Sequence, residues 1–284
     1  MSVRTVARRD FTAVRRSQAL WAVATLLAVV TALIAFGYQG YRLTPLAETR
    51  QLFGQLGMLF AVLVPIVALV ASYMSIAGER DGGGIKFLLG FPNTRREVFL
   101  GKLASRAVVV AGGLTFAFAT ATSVAVARHG VLPWRTVLGL FGVTLLYATV
   151  FVGVAVALSA AVATKTRAIA AAVGSYFVLV ILYVLPTVRM GSIVAWVHHT
   201  MLGFAANPDL YDAVTYTSPY IAYRKATNLV VAPAHQATVF RRSAEAGRDL
   251  PVYLSDEFAL VVFAIWLVVP LLLGYRRFER SDLE

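Results

Sequence analysis

The chain has 284 residues, no cysteine, 59% apolar residues, only 14% charged ones, and a mean hydropathy of +0.73. A soluble domain usually carries about a quarter charged residues, and the high apolar content excludes disordered, collagen-like and disulfide-stapled chains. A net charge of +12 and a pI near 10.3 would suit nucleic acid, a reading that depends on where the charges sit.

Residues 2–16, SVRTVARRDFTAVRR, predict a helix lying on a membrane surface. At about 100° per residue, Val3, Val6, Ala7, Phe11 and Val14 share one side, and Arg4, Arg8, Arg9, Arg15 and Arg16 the other. Such a helix suits anionic headgroups. Asp10 falls on the apolar side and interrupts the pattern. The alternative is a basic flank that only orients the first apolar run.

Six stretches then contain no Asp, Glu, Lys, Arg or His: 20–37, 56–77, 107–127, 137–163, 168–188 and 258–275. A bilayer core takes about 20 apolar residues as helix, and each charge at its centre costs several kcal/mol. The fold class is therefore an all-α membrane protein with six transmembrane helices in one domain, residues 1–284. The first apolar run begins after 19 residues with no small-residue cleavage site behind it, so the first span is expected to be retained. Small residues recur every fourth position (Ala117, Ala121, Ala125; Ala155, Ser159, Ala163), as close helix packing requires. Pro65 and Pro270 predict local kinks.

The segment 78–106 between the second and third spans is the most informative. Gly82, Gly83 and Gly84 break the emerging helix. A short apolar run comes next (Ile85, Phe87, Leu88, Leu89, Phe91), stopped at Gly90 and Pro92. Thr94-Arg95-Arg96-Glu97 is a capping box opening the helix of the third span. An apolar knob in a basic loop has to be covered, either by the membrane surface or by a partner protein.

The segment 189–257 is expected to be partly helical and packed against the membrane. It holds His198, His199 and Met201, donors that suit copper or a similar metal. Neighbouring histidines point to different sides of a helix, which makes joint ligation awkward and favours a surface helix.

The distribution of Lys and Arg sets the topology. With the N-terminus cytoplasmic, 16 basic residues fall in the inner segments and 4 in the short outer ones. Both termini are expected inside a cell membrane. The basic excess is then an orientation signal, and no nucleic acid is implied.

The charge-free spans lack the ionisable relays of ion-coupled carriers. No P-loop is present, since Gly101-Lys102 is followed by Leu103 and lacks the upstream glycine. Ser72, Ser123, Ser159 and Ser175 lie in spans without a histidine to activate them. No enzymatic activity is expected of this chain.

Glu79-Arg80-Asp81, the glycines after it, Leu88-Leu89, Pro92, Arg95 and Gly101-Lys102 resemble the signature of type-2 ABC transporter permeases, the export-type family. Asp81 stands where that family has a second Glu, and glycine where Thr is common. Ser218-Pro219 with Ala222-Tyr223-Arg224, and the ending from Pro270 through Arg277-Phe278-Glu279-Arg280 to Leu283, extend the likeness toward the branch near the nitrous-oxide-reductase maturation and copper-related permeases. The resemblance implies that 2–16 (Arg8, Arg9, Phe11, Arg15, Arg16) is an interface helix. It makes the run around Ile85, Phe87, Leu88, Leu89 and Pro92 a coupling helix, entered through Glu79, Arg80 and Asp81, that docks in a separate ATPase subunit. It also implies a second permease chain as homo- or heterodimer, with ATP and magnesium on the ATPase and no cofactor here. The function so implied is ATP-driven export through the bilayer. The alternative is a non-transporting membrane anchor that recruits a partner outside the cytoplasm.

Overall fold

A computed structural model describes residues 3–15, 17–40, 43–83, 94–185, 189–231 and 251–280. All regular structure among them is helical: α1 (Val3–Arg15), α2 (Gln18–Gly37), α3 (Pro45–Ser72), α4 (Ala77–Asp81), α5 (Arg95–His129), α6 (Trp134–Ala161), α7 (Lys165–Val184), α8 (Met190–Ala195, continued by a π-helical turn Trp196–Met201), α9 (Pro208–Tyr216), α10 (Pro219–Ala226) and α11 (Phe258–Glu279). Six helices, α2, α3, α5, α6, α7 and α11, are long and apolar enough to cross a membrane. They contain the six charge-free stretches, except for the ends of the second, fourth and fifth.

The most buried of these are α6 and α3, which pack on each other. Around them α2 leans on α5, α11 on α6, and α7 touches both central helices. The small-residue positions Ala117, Ala121, Ala125, Ala155 and Ser159 are all buried. Ala163 does not belong to that stripe: α6 ends at Ala161 and Ala163 is exposed. At Gly274 a Cβ would stand 2.6 Å from Ala157 Cα, so α11 and α6 meet backbone to backbone, which a bare residue permits. Both α3 and α11 run on as single helices through Pro65 and Pro270.

The second span does not continue to the glycines. It breaks into turns at residues 73–76 before the separate five-residue α4, which Gly82 and Gly83 (φ 71°) then end. By contrast, α5 runs unbroken for 35 residues, from the Thr94 capping box to Gly130 (φ 69°). At 1.5 Å per residue it is about 50 Å long, some 20 Å more than a bilayer core. Its first turns therefore stand clear of the membrane and carry Lys102 and Arg106. We call this the proximal end. It also gathers α1, which packs along α5, and the end of α11, since Arg95 donates to the carbonyls of Phe278 (2.7 Å) and Glu279 (2.8 Å).

At the other, distal end, α10 lies inside the bundle rather than against a membrane surface. Tyr223 bonds to Thr144 (2.9 Å) and stacks on Tyr147 (4.3 Å between ring centroids). Thr144 is about 15 Å along α6 from Trp134. Backbone that does not span is tolerated at such depth only when protein surrounds it. Here the Ser218 hydroxyl donates to Leu179 O (2.9 Å), Trp266 Nε1 donates to Thr217 O (2.7 Å), and Lys225 pairs with Asp256 (2.5 Å).

Candidate functional site: a charged collar at the proximal end

The segment 84–93, with Ile85, Phe87, Leu88, Leu89 and Pro92, lies outside the described residues, as does Arg16. Its two arms, α4 and the start of α5, are described, and the side chains on them converge.

The Glu-Arg-Asp run of α4 is bound to the chain's own helices. Glu79 forms an ion pair with Lys102 of α5. Arg80 donates to Val162 O just past α6 (3.4 Å), and Asp81 faces Lys165 at the start of α7 (3.7 Å). The base of α4 is held from α6, where the Ser159 hydroxyl accepts the N–H groups of Ile76 and Ala77, each at 3.0 Å. Ser159 thus occupies a packing position and also caps a helix that has no cap of its own.

Asp10 requires a correction. It does not spoil the amphipathic pattern of α1; it completes the buried face. Its Oδ1 accepts from Lys102 Nζ (2.6 Å) and Arg106 (3.2 Å), and Asp10 and Lys102 are both buried. The side of α1 that carries Val6 and Asp10 consequently lies on α5. Val6 sits over Gly101, where a Cβ would come within 2.8 Å of the Val6 side chain, so glycine there is a condition of contact. Arg8 and Arg9 face outward and Phe11 is half-buried. Arg106 also donates to Ala71 O (2.9 Å), fastening α5 to the last turn of α3. Two carboxylates and two cations thus meet in one neutral cluster drawn from three helices.

Of the residues picked out in the sequence, Glu79 enters this cluster, while Asp10, Lys102 and Arg106 are the members that sequence reasoning missed as site residues, as it missed Ser159 at the base of α4. One signal was present: Asp10 is an acid on the apolar side of α1, and a buried acid needs a buried base. His198 and His199 are turned to separate partners, Tyr211 OH (3.0 Å) and Phe204 O (2.9 Å). Arg80 is held somewhat below the usual guanidinium range by burial and by nearby Arg95. Glu97 is held below the usual carboxylate range by the backbone N–H and hydroxyl of Thr94.

A bundle of six apolar helices with a charged collar at one end defines the class as a multi-pass membrane protein. The pattern of the ABC-2 family transporter proteins matches residues 4–283, and the chain belongs to that family. It is similar to the probable ABC transporter permease protein NosY of Pseudomonas aeruginosa, 27% identical over 284 residues and 98% of each chain. It is also similar to the protein of the same name from Stutzerimonas stutzeri, 28% identical over 292 residues and 97% of each.

Proposed function

We propose that this chain is the permease subunit of an ATP-binding-cassette transporter and that it moves substrate outward across the cell membrane. Both termini face the cytoplasm, and ATP is hydrolysed by a separate subunit carrying the magnesium. A pair of permease chains, identical or different, works with a pair of ATPases. The observation that carries this reading is the ABC-2 family match over nearly the whole length, to which relatives named as permeases agree. The geometry supports it: the collar braces both arms of 84–93, as a segment that receives force from a partner requires.

In this reading Ile85, Phe87, Leu88, Leu89 and Pro92 supply the apolar contact with the ATPase. Glu79, Arg80 and Asp81 set the angle at which the segment leaves the bundle, and α1 contributes the exposed Arg8 and Arg9 to the same surface. The six charge-free stretches agree with driving energy that enters through a partner subunit. The test is co-purification of the tagged chain with the ATP-binding subunit encoded beside it. We expect a stoichiometric complex that is lost when Leu88 and Leu89 are both changed to Asp. A complex that survives that change would overturn the assigned role of the segment.

A further inference from the structure

The charged cluster is not symmetrical, and the asymmetry says which joint can move. Asp10 has a side chain 5% exposed, is held by both Lys102 and Arg106, and sits on a helix whose Val6 is pressed against Gly101. Glu79 has a side chain 32% exposed and is held in the cluster by Lys102 alone. A carboxylate that leaves its cation while still buried is an uncompensated charge in a poor solvent, whereas one near water is rehydrated as it goes. Asp10 therefore separates from Lys102 only if the whole of α1 leaves α5. Glu79 separates by a small swing of α4.

The base and the far end of α4 differ in the same way. Its base is pinned where Ile76 and Ala77 donate to Ser159, in the buried interior. At its far end the partly exposed pair Asp81–Lys165 is 3.7 Å apart. The turns at 73–76 separate α4 from α3, while Arg106 holds α3 at Ala71. A short lever with a fixed base and weakening contacts toward its tip is what this arrangement makes.

We propose that Lys102 is the positioning residue of α4: it ties α1 permanently to α5 through Asp10 and ties α4 releasably through Glu79. The interface helix α1 then travels with α5, and α4 alone swings about Ser159 when the segment is pulled. That a partner ATPase does the pulling rests on the function proposed above; the difference between the two joints belongs to the chain itself.

The chain has no cysteine, so spin labels can be placed cleanly. In the full chain in lipid nanodiscs, Arg9→Cys and Arg96→Cys, both exposed, report α1 against α5. Gly82→Cys with Arg96→Cys reports α4 against α5. Without any partner we expect one narrow 9–96 distance, retained in Glu79→Gln and in Lys102→Arg. In Lys102→Met and in Asp10→Asn that peak is expected to be lost to a broad, longer distribution. The 82–96 distance is expected to broaden in Glu79→Gln as well as in Lys102→Met. Equal loss of the 9–96 peak in Glu79→Gln and Lys102→Met would overturn the proposal, as would its retention in Lys102→Met. The Lys102→Arg chain separates loss of the joint from loss of the fold. With the ATPase bound and nucleotide trapped, the 82–96 distance is expected to shift while 9–96 stays. A shift in 9–96 would overturn the proposal. Failure of the ATPase to bind at all would count against the function proposed above and leave the partner-free measurements to decide the two joints.

Discussion

At the proximal end, four charged side chains from three helices share one buried cluster, and every member touches another charge. Toward the distal end most of the inner contacts are made by hydroxyls and aromatic rings. Tyr223 bonds to Thr144 and stacks on Tyr147, Tyr147 donates to Ala61 O (2.9 Å), while Lys225 pairs with Asp256 and Glu48 faces His129 (3.3 Å). The difference comes from depth. At the level of the hydrocarbon, hydroxyls and aromatic rings satisfy polar groups without carrying charge into a medium that penalises it. Beyond that level charges are admissible, and opposing charges give a joint that can be made and released. Hydroxyl bonds within a packed aromatic cluster give one that stays closed.

The contrast can be broken in order of expected effect. Replacing Lys102 by Met leaves Asp10 buried with Arg106 alone and strips Glu79 of its cation. Loss of one partner from a buried pair costs about 3–5 kcal/mol, and a large drop in the thermal midpoint of the detergent-solubilised chain is expected. Tyr147→Ala removes a fully buried ring between Tyr223 and Phe151. It is expected to cost a similar amount, about 3–5 kcal/mol. Its loss should not depend on salt, whereas that of Lys102→Met should, because Glu79 is left partly exposed without its cation. Tyr223→Phe keeps the stack and loses only the bond to Thr144, about 1 kcal/mol.

Ser159→Ala unties the base of α4. We expect about 1–2 kcal/mol, together with faster hydrogen exchange at the amides of Ile76 and Ala77 and no change at α10. A uniform rise across the bundle would show that Ser159 acts only by packing. The smallest effect is at Glu97. Its carboxyl is held below its ordinary range by Thr94, so what it contributes to the start of α5 is present above that range. The contribution is lost as the pH falls through the depressed value of the folded state. Thr94→Ala should abolish that acid dependence, read as amide exchange in the first turn of α5.

Much of the fold could be read from the order of residues. Runs without charge at bilayer length place six helices, because a spanning helix satisfies its own backbone and tolerates no unpaired charge. The Thr94–Glu97 box and Gly82–Gly83 mark helix ends because capping is local chemistry. The end of the second span was less legible. Nothing in 73–76 announces a break, which is sustained by Ser159 from a helix more than eighty residues later. Glu79 and the Gly101-Lys102 pair stood out through family resemblance, but that Glu79 and Lys102 face each other did not.

Where the chain is apolar, where it turns and where its basic residues gather follow from the order of residues, since these depend on each residue's affinity for water and on its near neighbours. Folding alone places α1 on α5, makes Asp10 the counter-charge of Lys102 and Arg106, and buries α10 beside Tyr147. Those are pairings between groups up to nearly a hundred positions apart, and the energy of a charge or a hydroxyl is set by the partner that folding brings to it.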